Sequence, residues 1–350
     1  MIWKDEKIPA ESRLKLIGRR NETQDPLRLF WVGSGITMKG AVRELYAVIE
    51  ADWSDHTPWM SVTLDGAPAA RFPLRRGTHT YALLTGMGAE AVHYVSLTRD
   101  TQPMENDEKL LVRLRGLELD GELLPQERRL TVEFIGDSLT SGEGLAGPVS
   151  ASEWKTVWMS GAMTYAAQVC AMLHADGEWI SQSGWGIVTD WTGDPHHTLP
   201  GIYDKVCALQ RAGNADYDFA AHPVDAVVVN LGTNDGNALN SLAQDRKPER
   251  EREIVTTAKS FLSHLRAVRA RTPILWVCGM CGIGMNALLE RAVTGASREM
   301  EDSLMAFLPL PACTEAEKGS LGHPGEASHR LCAGLISAAL KDLIEKKDVL

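Results

Sequence analysis

The feature that most constrains the fold is a change in strand pattern near residue 130. Before it, short segments rich in β-branched and aromatic residues are separated by turn signals. After it, uninterrupted apolar segments such as DAVVVNL, residues 225–231, alternate with segments of helical periodicity. Strands without polar alternation are typical of a sheet covered by helices on both faces. The pattern therefore predicts two domains: an antiparallel β-sandwich over residues 1–125 and an α/β domain with a parallel sheet over residues 126–350.

Local signals support this division. Asp65-Gly66 stands between two alternating segments and predicts a hairpin turn. The polar stretch LLPQERR, residues 123–129, is predicted to link the two domains. The last helix is predicted from about Gly325 to Ile344 and should pack on the sheet through one apolar face. That face comprises Cys332, Leu335, Ile336, Ala339, Leu340 and Leu343.

Composition excludes several classes of protein. The net charge of −10 is spread along the chain, which argues against nucleic acid as a partner. No apolar run approaches the roughly 18 residues of a membrane span, and the opening MIWKDEKIPAES lacks the apolar core of an export signal. The six cysteines are interpreted as reduced thiols, Cys278 and Cys281 included, which predicts a cytoplasmic protein without a zinc or redox site. The sequence predicts no metal and no cofactor, and it leaves the oligomeric state open.

Three polar motifs fall at strand ends or before the last helix. They are Gly136-Asp137-Ser138-Leu139, Gly232-Thr233-Asn234-Asp235 and His323-Pro324. In an open α/β sheet, ligands bind beyond the carboxyl ends of the strands. A serine hydroxyl needs a nearby base to act as a nucleophile, and a developing oxyanion needs fixed donors. Each motif alone could be a turn or a helix cap. Their joint occurrence favours Ser138 as nucleophile, His323 as base and the Asn234 amide as an oxyanion donor.

These motifs resemble those of the SGNH (GDSL) hydrolases. FIGDSLTSGEG, residues 134–144, resembles the block that opens this superfamily, LGTND its asparagine block, and HPGEASHRLCAGLI, residues 323–336, its closing block. The resemblance implies a three-layer α/β/α sandwich. It also implies that the backbone N–H of Ser138 and a glycine after the second strand complete the oxyanion hole. Gly186 in ISQSGWGIV is the better match for that glycine, and Gly184 is the alternative.

The chain is also similar to carbohydrate esterase family 2, whose members place a β jelly-roll ahead of an SGNH domain. The similarity lies in DGAPAARFPL at residues 65–74, THTYALLTG at 78–86, the SGWG segment and HTLPGIYDKV at 197–206. It implies an esterase that removes small acyl groups, acetyl above all, from sugars through an acyl-enzyme. The alternatives are a thioesterase or lysophospholipase with the same site, or a carbohydrate-binding protein whose site has decayed.

One position departs from the superfamily pattern. SGNH hydrolases usually carry an aspartate three residues before the histidine, and that position is Ser320 in this chain. In the similar carbohydrate esterases, a backbone carbonyl can accept the Nδ1–H of the histidine instead. We therefore expect a Ser138–His323 dyad oriented by a carbonyl, with Glu317 or Glu326 as alternative carboxylate partners. Asp137 and Asp235 are expected to hold the loops that carry Ser138 and Asn234.

Aromatic residues and the remaining histidines complete the predictions. Four tryptophans are expected on the active-site side, where indoles can stack on sugar rings. They are Trp154, Trp158, Trp185 and Trp191, of which Trp185 is predicted to form the substrate wall and the first two could equally fill the interface between the domains. His329 is predicted to be a packed or surface residue. His196-His197 is interpreted as a loop without metal, because no ligand-spaced carboxylate is evident nearby.

Overall fold

The computed structural model describes residues 2–4, 13–22, 25, 27–88 and 91–349. Most of the opening segment on which the absence of an export signal was argued lies outside these residues. The first sheet has eight antiparallel strands, in the order β1-β8-β3-β7-β4-β5 with β2 and β6 also pairing with β3. The strands are β1 Ile2–Lys4, β2 Lys15–Ile17, β3 Gly35–Asp52, β4 Trp59–Leu64, β5 Ala67–Pro73, β6 Gly77–Leu84, β7 His93–Arg99 and β8 Leu111–Leu124.

Two long strands, β3 and β8, organise this jelly-roll-like sandwich. Strand β3 pairs with four other strands, and breaks in its register with β8 at Val42/Glu44 and Val48/Ile49 allow it to bend across the fold. Alternate residues of β3 are buried along much of its length, so one side of the strand faces an apolar core. The predicted hairpin is confirmed: Asp65 and Gly66, at φ of 52° and 83°, form the turn between β4 and β5.

The second sheet is parallel, as predicted. Its strands are β9 Leu130–Gly136, β10 Ala175–Ser181, β11 Ala226–Asn230, β12 Ile274–Cys278 and β13 Met305–Pro309. They lie in the order β10-β9-β11-β12-β13. The chain leaves β9 for one edge and returns to the other side of β9, so the strand order reverses between β9 and β11. Such a switch point opens a crevice at the carboxyl ends of these two strands.

Helices cover both faces of the parallel sheet, which confirms the α/β/α sandwich. They are α1 Ser138–Ser141, α2 Tyr165–Leu173, α3 Leu199–Ile202, α4 Thr233–Ser241, α5 Lys247–Val268, α6 Asn286–Glu299 and α7 Glu326–Val349. Helices α2 and α7 pack on one face, while α5 and α6 pack on the other. No helix among the described residues is both long and apolar enough to cross a bilayer.

The prediction that Leu335 belongs to the buried face of α7 is wrong. Leu335 is 39% exposed, whereas Ala333 is fully buried. Positions 332, 333, 336, 340 and 343 form the packed stripe of the helix, and Leu335 lies beside it. Apolar character alone had placed Leu335 on that face.

The segment after β2 ties the sandwich to the α/β domain. Phe30 and Trp31, in the part of the chain predicted as sandwich, are fully buried in the core of the α/β domain. The Trp31 indole donates a hydrogen bond of 2.6 Å to the carbonyl of Val206. Buried Asp100, just after β7, accepts from the N–H of Ala162 at 2.9 Å. The sandwich therefore lies directly against the loops that follow the parallel strands.

Candidate active site

Ser138 lies at the switch point of the parallel sheet. It is the first residue of α1, which follows β9, and it is 7% exposed. The Asp137 side chain caps this short helix by accepting the N–H of Leu139 at 3.1 Å. Asn234 lies in the first turn of α4, which follows β11, so the two motifs face the same crevice.

The structure brings Ser138 and His323 together across 185 residues of sequence. The Nε2 atom of His323 lies 2.9 Å from the Ser138 hydroxyl. Leu321 and Gly322, at φ of 57° and 74°, form the turn that delivers the imidazole to the crevice just before α7. When Nε2 accepts a hydrogen bond from the hydroxyl, the neutral imidazole must carry its own proton on Nδ1. This is the arrangement of a general base beside a nucleophile.

The predicted partners of Nδ1 are wrong. The Nδ1 atom of His323 is buried and has no hydrogen-bond partner among the described residues, a backbone carbonyl included. Ser320, at the usual aspartate position, directs its hydroxyl to the carbonyl of Gly144 at 3.3 Å. Glu317 is half-buried in a capping box with the N–H and hydroxyl of Thr314, and Glu326 is exposed beside Arg330.

A different carboxylate lies beside the imidazole. The Glu143 Oε1 atom is 3.9 Å from Nε2 of His323, and the Glu143 side chain is 10% exposed. Sequence reasoning missed Glu143, although it stands in the FIGDSLTSGEG motif five residues after Ser138. Its position in that motif was the available signal.

The Asn234 amide is held in place from one side. Its Nδ2 donates to the carbonyl of Trp185 at 2.8 Å and lies 3.4 Å from Oδ2 of Asp137. The short bond to Trp185 uses one N–H and fixes the plane of the amide. The second N–H makes only the long contact with Asp137, so it can be given up to an oxyanion at low cost.

The structure favours Gly184 over Gly186 as the oxyanion glycine. The N–H of Gly186 donates to the carbonyl of His197 at 3.3 Å, as part of a bridge between Gly186 and Thr198. A donor used in this way is not available to a substrate. The N–H of Gly184 has no partner among the described residues, and its φ of 82° lies in the region that favours glycine. The prediction of Gly186 is therefore corrected to the alternative register.

Asp235 holds the segment that carries this glycine. Its carboxylate accepts the N–H groups of Ile187 and Val188, each at 2.8 Å, and is almost fully buried. Burial raises the pKa of Asp235, and these N–H bonds act against that rise. Burial likewise raises the pKa of Asp137 to about 7, and the charges of Asp235 and Glu143 contribute to the rise.

A loop of the sandwich completes the support of the same segment. The Gln102 side-chain oxygen accepts the N–H of Ser183 at 2.9 Å. Glu105 lies 3.3 Å from Nε2 of His197, and the His197 ring stacks on Trp185 at 5.1 Å. Nothing in the sequence pattern signals the contacts of Gln102 and Glu105, because they join residues from the two domains.

The four tryptophans occupy different environments. Trp185 is only 6% exposed and His197 covers one face of its ring, which argues against the predicted substrate wall. Trp191 is 60% exposed, and its ring lies 3.0 Å from the position that a Cβ atom on Gly184 would occupy. Trp154 contacts the His56 ring of the sandwich at 5.0 Å, and Trp158 is half-buried near Gly147. Trp191 is therefore the indole that presents a free face beside the candidate oxyanion glycine.

The remaining histidines are also placed by the structure. The sequence argument against metal at His197 assumed that no carboxylate lies near it, and this assumption is wrong. One possible ligand atom from each of Asp190, Asp194 and His197 lies within 4.8 Å of the others. Asp190 is already engaged, since one of its oxygens accepts the N–H groups of Thr192 and Asp194. His329 is packed, as predicted, and accepts the N–H of Tyr165 at 2.9 Å, while burial lowers its pKa to about 3.

Comparison with known proteins places this site in a family. No family model matches the chain. It is 27% identical over 327 residues to the cellulase/esterase CelE of Acetivibrio thermocellus, a match that covers 89% of this chain and 37% of that protein. The chain thus spans little more than a third of that relative.

Two solved structures share both domains of the fold. An acetyl xylan esterase, Est2A, from the rumen bacterium Butyrivibrio proteoclasticus is 31% identical, with a TM-score of 0.91 and 98% of each chain covered. A family two carbohydrate esterase from Clostridium thermocellum, solved with cellohexaose, is 23% identical, with a TM-score of 0.80, 94% of this chain and 98% of that chain covered.

The α/β/α fold, with the serine and the imidazole paired at its switch point, defines the class of the SGNH (GDSL) hydrolases. The resemblance inferred from the sequence motifs is confirmed. Within this class, the chain belongs to the family of the acetyl xylan esterase Est2A, and its fold is that of the family two carbohydrate esterases.

Proposed function

We propose that the protein is a serine esterase that removes acetyl groups from carbohydrates. The observation that carries the proposal is the 2.9 Å contact between the Ser138 hydroxyl and Nε2 of His323. Ser138 Oγ attacks the acyl carbon while Nε2 takes its proton. The oxyanion is held by the N–H groups of Ser138 and Gly184 and by the Asn234 amide. The Nε2 proton then passes to the departing sugar oxygen, and water, activated by the same imidazole, releases acetate.

The nature of the relatives supports the substrate class. One relative is described as an acetyl xylan esterase, and another was solved with a cello-oligosaccharide. Together with the cytoplasmic location that we propose from the cysteine content, this favours short acetylated oligosaccharides over intact polymers.

Acetate release from a panel of acetylated xylo- and cello-oligosaccharides tests the proposal. A parallel series of p-nitrophenyl esters, from acetyl to octanoyl, measures the preference for acyl length. We expect acetyl to be the preferred group and acetylated oligosaccharides to be turned over. A preference for octanoyl esters without release of acetate from any sugar would contradict the proposal and favour a lipid or thioester substrate.

The Trp191 indole offers a prediction about sugar binding. We expect Trp191→Ala to raise KM for an acetylated oligosaccharide by about 5-fold, because a sugar ring loses its stacking surface. The KM for p-nitrophenyl acetate, which has no sugar, should stay within a factor of two. Trp154→Ala is the matched control, because Trp154 packs against His56 of the sandwich. Equal effects of the two substitutions would argue against stacking at Trp191.

A further inference from the structure

Glu143 stands in an unusual relation to the imidazole of His323. Its carboxylate is 3.9 Å from Nε2, the nitrogen that exchanges protons with Ser138, rather than on the Nδ1 side. His323 makes no other ion-pair contact with a described carboxylate. The chain therefore has a nearly buried carboxylate beside the dyad, but not where an SGNH triad places one.

The loop that carries Glu143 is fixed against the loop that carries His323. Gly142 and Gly144 flank Glu143 at φ of 82° and 81°, and the Glu143 N–H donates to the carbonyl of Ser138 at 3.0 Å. A methyl group on Gly144 would lie 2.8 Å from Cβ of His323, so the two loops are in direct contact.

Ser320 provides the tie between these loops. Both its N–H, at 3.0 Å, and its hydroxyl, at 3.3 Å, donate to the carbonyl of Gly144. The residue that replaces the usual aspartate thus holds the backbone next to Glu143. The backbone is therefore held on both sides of the contact between the Glu143 carboxylate and the imidazole.

We propose that Glu143 is a positioning residue that stabilises the imidazolium formed by His323 during acyl transfer, and so supplies the charge that position 320 lacks. The inference rests on the proposed function. The Ser138 proton moves to Nε2 and then to the sugar oxygen, and Glu143 takes no part in this proton transfer. A carboxylate about 4 Å from an imidazole ring stabilises the protonated, charged form of that ring. The effect is stronger where water is largely excluded.

Other charged groups around the dyad do not fill this role. His329, on α7, has a pKa lowered to about 3 by burial and is therefore neutral. Asp137 caps α1 and has a pKa raised to about 7 by burial, so it is only partly ionised near neutral pH. Asp235 is buried among the N–H groups of the oxyanion segment. Glu143 is the carboxylate that faces the imidazole.

The substitution Glu143→Gln tests the proposal, because it removes the charge and keeps the shape. We expect kcat/KM to fall about 10-fold with both p-nitrophenyl acetate and an acetylated oligosaccharide, and the acid limb of the pH profile to move to lower pH. The direction follows because an imidazole without its counter-charge stays neutral to lower pH. An NMR titration of the His323 ring carbon Cε1 should show the same shift and separates the imidazole from Asp137.

Two controls make the outcomes distinct. Glu326→Gln removes an exposed carboxylate that stands three residues after the same histidine and pairs with Arg330, and it should leave the rates and the pH profile unchanged. If Ser138→Ala retains activity, the proposed function itself fails. If Ser138→Ala is inactive but Glu143→Gln keeps the wild-type pH profile and Cε1 titration, only the role of Glu143 is overturned. A loss confined to the sugar substrate would likewise overturn it, since it would assign Glu143 to a sugar hydroxyl.

Discussion

Ser138→Ala is expected to lower kcat/KM for p-nitrophenyl acetate by about 10⁴-fold or more, because the acyl-enzyme can no longer form. His323→Ala should cause a loss of similar size, since the serine hydroxyl is a poor nucleophile without a base at 2.9 Å. The Ser138→Ala/His323→Ala double variant should be no worse than either single variant, because the two side chains act as a unit. The variants are compared by their initial rates, normalised to the amount of folded protein in each preparation.

The control for these variants is another buried serine of the same segment. Ser141 lies at the end of α1, and its hydroxyl donates to the Ser181 hydroxyl at 2.9 Å instead of to His323. Ser141→Ala should retain most of the activity. Wild-type rates in Ser138→Ala, or losses that multiply in the double variant, would show that the 2.9 Å contact is not the reacting pair.

Much of the fold follows from local sequence pattern. A strand such as β11, with Val227 and Val229 on one face and Val228 on the other, is buried on both sides, and its apolar run already shows this. The turn at Asp65-Gly66 follows from backbone sterics in the same way. Leu335 shows the limit of such reasoning, because apolar character does not distinguish neighbouring stripes of a helix.

The site could be predicted only in part, for a physical reason. The motifs identify Ser138, Asn234 and His323 because each stands at the end of an element whose position the topology fixes. The choice between Gly184 and Gly186 depends on a bridge to Thr198, a contact between loops that has no sequence signature. Gln102 comes from the sandwich, and its contact with Ser183 exists only once the two domains have packed.

One charged residue inside a core strand connects the fold to the site. Glu133 lies in the middle of β9, the strand that leads into α1 and Ser138, and is completely buried. Its Oε1 accepts from Arg19 and from Arg269, each at 2.9 Å, and its Oε2 accepts the Tyr203 hydroxyl at 2.7 Å. Burial by itself raises the pKa of Glu133, but the charges of Arg19 and Arg269 outweigh it and hold the pKa below its ordinary value.

Glu133→Gln is expected to lower the free energy of unfolding by about 3–5 kcal/mol at pH 7, because two buried guanidinium groups lose their counter-charge. Urea unfolding followed by tryptophan fluorescence measures the change. Since the folded pKa of Glu133 is lowered, its stabilising contribution is present above the unfolded pKa of about 4.5 and is lost as pH falls further. The difference between wild type and variant should therefore shrink below about pH 4.5.

The matched control is an exposed pair of the same chemical type. Arg43 and Asp120 approach to 2.7 Å on the surface of the sandwich, and both side chains are more than half exposed. Asp120→Asn should change the free energy of unfolding by less than about 1 kcal/mol, because water screens the pair. If Glu133→Gln were no more destabilising than Asp120→Asn, the buried charges would not hold β9 in place, and the position of Ser138 would have to depend on the apolar packing of the sheet alone.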